Sequence, residues 1–337
     1  MKILVSEFYK ELFGTKTYKI SLDAGCTCPN RDGSKGTGGC IFCSENGSGD
    51  FAATRSLSVR EQLEQGRALV EAKLRGRSGE RQGKYIAYFQ NFSSTYGNAK
   101  VLLAKYHEAL ECDEVVGLAV ATRPDCLNDE ILQGLADIAK NHFVQLELGL
   151  QTSCEATGNL INRCYTNQDY IDAVKQIHEK APQIHVVTHL IFGLPGEIET
   201  DMLNSVKFVI EQNTRHPSPS QHSCSETRSN CSIGAVCRPS AVAPYVSGSV
   251  DDKWGIKITS LYVLKNTKLA QMYESGQFQT LSKEEYFSLL KKALPLLPDN
   301  CIIHRLTGDP PKSLLIAPSW TTDKKRVLNE LQYLLTS

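Results

Sequence analysis

Along the 337-residue chain, apolar β-branched runs alternate with stretches whose apolar positions recur at helical spacing. The runs predict strands over 19–22, 85–89, 115–121, 144–150, 185–192 and 255–263. The helical spacing predicts helices over 58–74, 99–110, 129–140, 169–180 and 200–212, with two more over 283–293 and 324–335. Six strand-plus-helix repeats predict an α/β fold with one parallel sheet built from right-handed crossovers. A partial barrel fits six units better than a closed eight-unit one. Chemistry on such a sheet belongs to the loops leaving the carboxyl ends of the strands. Polar groups gather there: a cysteine-rich loop after the first strand, Gln90-Asn91 after the second and Thr122-Arg123-Pro124-Asp125 after the third. Gln151 follows the fourth and Gly193-Leu194-Pro195-Gly196-Glu197 the fifth.

From about 213 to 250 the periodicity stops, and Ser, Pro and Arg dominate. This predicts three parts: 1–212 with five β/α units, a flexible or anomalous insert over 213–250, and 251–337 with the sixth unit and a C-terminal extension. Cys224, Cys231 and Cys237 fall in the insert without a CxxC pair, so they read as incidental rather than as a zinc site.

Charge and hydropathy narrow the class. The 37 basic and 37 acidic residues cancel, which excludes a dominant nucleic-acid-binding charge but leaves room for a local basic face. Residues 251–337 carry 12 basic and 9 acidic groups, a slight excess compatible with RNA contact or with a solvated helix face. No apolar run reaches the roughly 18–20 residues of a bilayer span, and the first residues, with Glu7 and Glu11, do not resemble a signal peptide. A soluble, cytoplasmic protein with no membrane partner is expected.

Twelve cysteines is a high number for such a chain. Four of them, Cys26, Cys28, Cys40 and Cys43, share one glycine-rich loop, and in a reducing compartment such crowding points to metal or redox chemistry. Eleven residues separate Cys28 from Cys40, and two separate Cys40 from Cys43. Three thiolates with a CxxC pair suit an iron–sulfur cluster that keeps one iron open for a small molecule. A zinc loop with Cys26 as fourth ligand is the other reading; it lacks a second CxxC and would need a cramped CxC pair.

The stretch KISLDAGCTCPNRDGSKGTGGCIFC resembles the cluster-binding loop of a radical S-adenosylmethionine (SAM) family with a long first cysteine spacing, related to the Elongator catalytic subunit. The resemblance continues through YIAYFQNFSSTYGN, GLAVATRPDCL, LELGLQTS, LINRCYTNQDY, THLIFGLPGE, GIKITSLYVLKNTKLA and IIHRLTGDPPKSLLIAPSW, nearly the whole chain outside the insert. It implies a partial (β/α)6 TIM-like barrel of the radical SAM type, a [4Fe-4S] cluster on Cys28, Cys40 and Cys43, and SAM as cofactor. Phe42 matches the aromatic that lies against the adenine. The implied activity is formation of a 5′-deoxyadenosyl radical, with tRNA as substrate in wobble-uridine modification and a donor such as flavodoxin or ferredoxin supplying the electron. A small metabolite or a protein is the alternative substrate, and a non-catalytic zinc or redox protein the alternative class. Two departures stand out: Cys26 replaces a usual aromatic, and the insert interrupts the barrel before its sixth strand.

Further candidates follow from position. Glu147 could accept from ribose hydroxyls or pair with a neighbouring cation, and Gln151 could hold the methionine end or the ribose. Arg123 could anchor a carboxylate or pair with Asp125. His185 and His189 share a strand face and read as core groups, with a cofactor-pocket role open to His189. Gly193, Pro195 and Gly196 could shape backbone beside the cofactor or make an ordinary turn. The aromatics between Tyr85 and Tyr96 read as core and rim packing. The segment His304-Arg305-Leu306-Thr307-Gly308-Asp309 could close the open side of the barrel and touch substrate.

Overall fold

The computed structural model describes residues 2–45, 47, 55–74, 83–214 and 252–336. The six predicted strands are present as β2 (Thr17–Leu22), β3 (Lys84–Phe89), β4 (Val115–Thr122), β5 (Phe143–Gln151), β6 (His185–Phe192) and β7 (Trp254–Ser260). Two short strands, β1 (Ile3–Leu4) and β9 (Cys301–Arg305), extend them into one sheet of order β1-β9-β7-β6-β5-β4-β3-β2. Every pairing in that sheet is parallel. The fold is an open, curled α/β sheet of the partial-barrel type, as the six repeats predicted. The sixth predicted strand ends early: Val263–Leu264 form a separate β8, antiparallel to β10 (Leu315–Ala317).

The outer face of the sheet is covered by α2 (Val59–Leu74), α3 (Ala99–Leu110), α4 (Asp129–Ala139), α6 (Asn167–Lys180), α7 (Glu199–Thr214) and α9 (Lys283–Ala293). Their apolar stripes share one core with the alternate strand residues Leu22, Phe89, Leu118, Leu146, Leu148, Ile256 and Ile258. Five helix starts carry their own caps, because Asn98, Asn128, Thr166, Thr267 and Ser282 each accept the amide hydrogen three residues on. Helix α7 continues through Thr214, so the boundary predicted at 213 falls inside a helix. The rest of the predicted insert, with Cys224, Cys231 and Cys237, lies outside the described residues.

The inner face is closed at its amino-terminal end by α1 (Val5–Phe13), an element the periodicity did not predict. Phe8 and Tyr9 pack on Ile86, Phe143 and Ile302, and the Tyr9 hydroxyl donates to Gln145 Oε1 at 2.7 Å. His185 and His304 meet there, with their Nε2 atoms 2.9 Å apart. Burial pushes His185 down to about 3 and His304 well below its ordinary value, so the pair is a neutral floor hydrogen bond. Access to the barrel interior is therefore from the carboxyl-terminal side. None of the described helices is long and apolar enough to cross a membrane.

Candidate active site

The cysteine loop leaves β2 at the open end and is tied down on three sides. Ile41, buried between Cys40 and Phe42, donates its amide to Ile161 and accepts from the amide of Leu269 at 2.9 Å. Asn162 Nδ2 donates to Gly39 O at 2.8 Å, and Lys35 reaches Asp125 at 2.7 Å. Gly39 has φ +76°, and a Cβ there would stand 2.7 Å from Arg31 Nε. That guanidinium needs the space, because its Nη2 donates to Ser44 O at 2.6 Å and brackets the carboxyl end of the loop. Cys28, Cys40 and Cys43 all line one cavity of about 690 Å³. Cys26 does not; it is buried in the main core.

The thiols sit among cations and donors. Arg123 Nη1 points at Cys28 Sγ from 3.8 Å, and Asn30 Nδ2 lies 3.8 Å from Cys40 Sγ. A hydrogen bond from Cys40 lowers the Cys43 thiol, with Arg31 adding to the effect, while the same bond and burial raise Cys40. Among the described residues no trio of His, Cys, Asp or Glu is drawn close enough to hold a single metal ion. A four-iron cluster makes a different demand, namely thiolates on separate irons around a shared volume. Three thiols opening on one cavity, beside Arg31 and Arg123, fit that donor set and its net negative charge.

Below the loop the inner face is layered by strand alternation. One layer holds Lys19, Tyr88, Glu147, His189 and Lys257, from five different strands. Glu147 is its hub. Oε1 accepts from Lys19 at 2.6 Å and Gln145 at 2.5 Å. Oε2 accepts from Lys257 and Tyr88, both at 2.5 Å, and lies 2.9 Å from His189 Nε2. Burial pushes the carboxyl up, but the ammonium groups of Lys19 and Lys257 outweigh it and hold Glu147 well below the usual carboxylate range. Burial lowers His189 to about 4, so its ring is neutral at pH 7.

The structure brings Phe42, Arg123, Glu147, Gln151 and His189 to the same cavity as the three cysteines. Arg123 is held bidentately by Asp125 at 2.9 and 2.8 Å and lies over Tyr165 at 4.8 Å. Gln151 has φ +69° at a bulge where β5 slips one residue against β6, which turns its side chain toward the cavity. Glu147 lies in the interior of β5, four residues before Gln151, and of its two readings the pairing with neighbouring cations is the one observed. Gly193 and Pro195 do not line the cavity; Gly193, at φ +87°, makes the turn after β6 against Leu281. The segment from His304 to Asp309 does reach it, through Arg305 at the end of β9 and through Gly308 and Asp309. Lys19, Tyr88, Tyr165 and Lys257 were not singled out from sequence, although a lysine inside β7, a strand buried on both faces, is a usable signal.

Glu197, just beyond that turn, is half-buried. Burial pushes its carboxyl up to about 7, with the Thr152 hydroxyl opposing and Asp201 adding. A carboxyl raised in the folded state binds more protons folded than unfolded, so stability falls as pH rises from the ordinary value of about 4.3 through 7. Glu197→Gln should therefore be more stable than wild type above pH 8 by ~1–2 kcal/mol, after discounting for solvent screening, with no gain below pH 4. Thermal unfolding across a pH series checks this.

Comparison with known proteins adds to the geometry. Residues 33–209 match the radical SAM superfamily, and residues 253–336 match the radical SAM C-terminal domain. Protein YtqA of Bacillus subtilis (strain 168) is 36% identical over 322 residues, covering 96% of this chain and 85% of YtqA. A tRNA-2-methylthio-N(6)-dimethylallyladenosine synthase of Acetivibrio thermocellus is 30% identical over 143 residues, 41% of this chain and 29% of the synthase. The archaeal Elp3 of Methanocaldococcus infernus superposes with a TM-score of 0.58 at 15% identity, a likeness of fold. That match covers 94% of this chain and 63% of the longer archaeal one.

Proposed function

This chain belongs to the radical SAM superfamily and has its enzymatic architecture, and on that premise we propose that it binds a [4Fe-4S] cluster and SAM and modifies tRNA at the wobble uridine. The observation that carries the cofactor reading is the convergence of Cys28, Cys40 and Cys43 on one cavity, flanked by Arg31 and Arg123. When bound, such a cluster would supply the one low-potential electron needed to split a carbon–sulfur bond of SAM into methionine and the 5′-deoxyadenosyl radical. The chain's own residues do the rest. Arg123, fixed by Asp125, brings a permanent positive charge to within 3.8 Å of Cys28 Sγ. Phe42 offers an aromatic face to the adenine, and Gln151 and His189 offer hydrogen bonds to the ribose or methionine end. The closed floor excludes water from the amino-terminal side. A flavodoxin- or ferredoxin-type donor completes the scheme.

The tRNA substrate is supported by the partial likeness to a tRNA-modifying synthase. The test is anaerobic reconstitution with iron and sulfide, then dithionite and SAM, with chromatography for 5′-deoxyadenosine. Wild type should cleave SAM, and Cys43→Ala should fall by at least ~100-fold, since loss of an outer-shell partner alone costs 10–100-fold. Added undermodified tRNA should change the products. Cleavage indifferent to RNA points to a small-molecule or protein substrate, and a preparation that takes up only zinc sinks the enzyme reading of the loop.

A further inference from the structure

We propose that the layer of Lys19, Lys257 and Arg305 around Glu147 is a binding site for an oxyanion, a carboxylate or phosphate group carried by the substrate. The inference deepens the reading above and rests on it only in taking this cavity as the place where substrate enters.

The charges do not balance. Lys19, Lys257 and Arg305 line the cavity at this level with a single carboxylate, Glu147. Both oxygens of Glu147 are already engaged, by Lys19 and Gln145 on one and by Lys257 and Tyr88 on the other. Other acids nearby are spoken for: Asp125 holds Arg123, and Asp309, on the cavity rim, holds Lys324 at 2.6 Å. The Arg305 side chain makes no ion pair or hydrogen bond among the described residues, yet lies close enough to act on Lys19, Lys257 and His189. A bulge at the β7–β9 pairing, where Lys257 faces Arg305, carries it to the cavity side.

Lys257 is buried, Lys19 half-buried and Arg305 exposed at the open side, so the three cations repel one another across the cavity and an entering anion relieves that repulsion. Burial, with the neighbouring cations adding, pushes both lysines down, and Glu147 offsets only part of it. Arg305 offers the planar fork that matches a carboxylate or phosphate edge. Between this layer and the cysteine loop stands one further inner layer, including Ser21, Gln90 and Thr259, two residues along the strands or about 7 Å. A substrate anchored here by its oxyanion would thus present a carbon several bonds away to the volume below the cysteines.

The test uses the cluster-loaded protein under anaerobic conditions, without SAM or reductant. Thermal unfolding is followed against potassium phosphate and potassium acetate, with potassium chloride at matched ionic strength as reference. Phosphate or acetate should raise the midpoint saturably above chloride. Arg305→Gln should weaken the apparent dissociation constant at least about tenfold, while Lys140→Gln on the outer surface leaves it unchanged. If the glutamine variant is unfolded in chloride, Arg305→Lys replaces it and should weaken binding by a smaller factor. A response to acetate alone assigns the site to a carboxylate, and a response to phosphate alone assigns it to a phosphate. No stabilisation beyond chloride, or an equal response in the variant, overturns the proposal. Because no SAM is present, a protein that binds anions but never cleaves SAM sinks only the function above; one that cleaves SAM without an anion response sinks only this site.

Discussion

Glu147→Gln is expected to destabilise the protein by about 3–5 kcal/mol near neutral pH, the largest effect of any single change in the cavity. The substitution keeps the size and most hydrogen bonds of the side chain but removes the one charge that compensates Lys19 and Lys257. Both ammonium groups, already pushed down by burial, would then face each other and Arg305 without a carboxylate. The sign with pH is defined. A lysine whose folded value lies below its unfolded one binds fewer protons folded, so stability rises with pH up to about 10.4. The deficit of the variant should therefore shrink from pH 7 toward pH 10. In wild type the depressed Glu147 contributes stability above its unfolded value of about 4.3, lost as pH falls through the folded value. Urea unfolding of both proteins at several pH values measures this. The double variant Glu147→Met with Lys257→Met should lose less than Glu147→Gln alone, because an apolar pair replaces a buried charge left without its partner. If stability is unchanged and only SAM affinity falls, Glu147 is a ribose ligand and its ion pairs are incidental.

How far the chain could be read without coordinates depends on how local each signal is. Strands β3 to β6 were legible because long apolar runs stand between turn residues, and α9 because Ser282 caps it and its period is clean. Strand β9 is five residues, Cys301 to Arg305, with a polar end, and α5 (Glu155–Leu160) holds Gly158 and Asn159 within one and a half turns. Neither is long enough for a period to emerge. Helix α1 was passed over because nothing in its own residues says that Phe8 and Tyr9 fill the floor of a barrel, against residues as far along the chain as Ile86, Phe143 and Ile302. The cysteine loop was legible since spacing along the chain carries its chemistry. The layer around Glu147 was not, because it draws on five strands whose register no local pattern reveals. What the sequence did offer was a contradiction: Lys257 interrupts β7, an apolar strand buried on both faces. A charge in that setting is informative because it must find a partner.

Arg163 is such a charge, and its loss is the second large effect. It is fully buried, the largest side chain to be so among the described residues, and acts as a knot between the end of β5, α5 and the start of α6. Nη1 donates to Leu150 O at 2.9 Å and Thr152 O at 2.7 Å, and Nε donates to Tyr165 O at 2.9 Å. Nη2 donates to Glu155 Oε2 at 3.1 Å and Asn167 Oδ1 at 3.2 Å. The residues it ties flank two that line the cavity, Gln151 with its positive φ and Tyr165 under Arg123. Arg163→Met should therefore cost about 3–5 kcal/mol, because three buried carbonyls and one carboxylate lose a charged donor at once. Arg163→Lys keeps the charge but has no planar fork with which to reach five acceptors, and should recover only part of that loss. The second consequence is at the site. With β5 released at Gln151, SAM affinity should drop in both variants even at temperatures where they remain folded. Denaturant unfolding and equilibrium SAM binding on the same preparations separate the two effects. Full SAM affinity in a folded but destabilised Arg163→Lys would mean that Gln151 holds its geometry without the knot, and that the strained turn is fixed by the β5–β6 bulge alone.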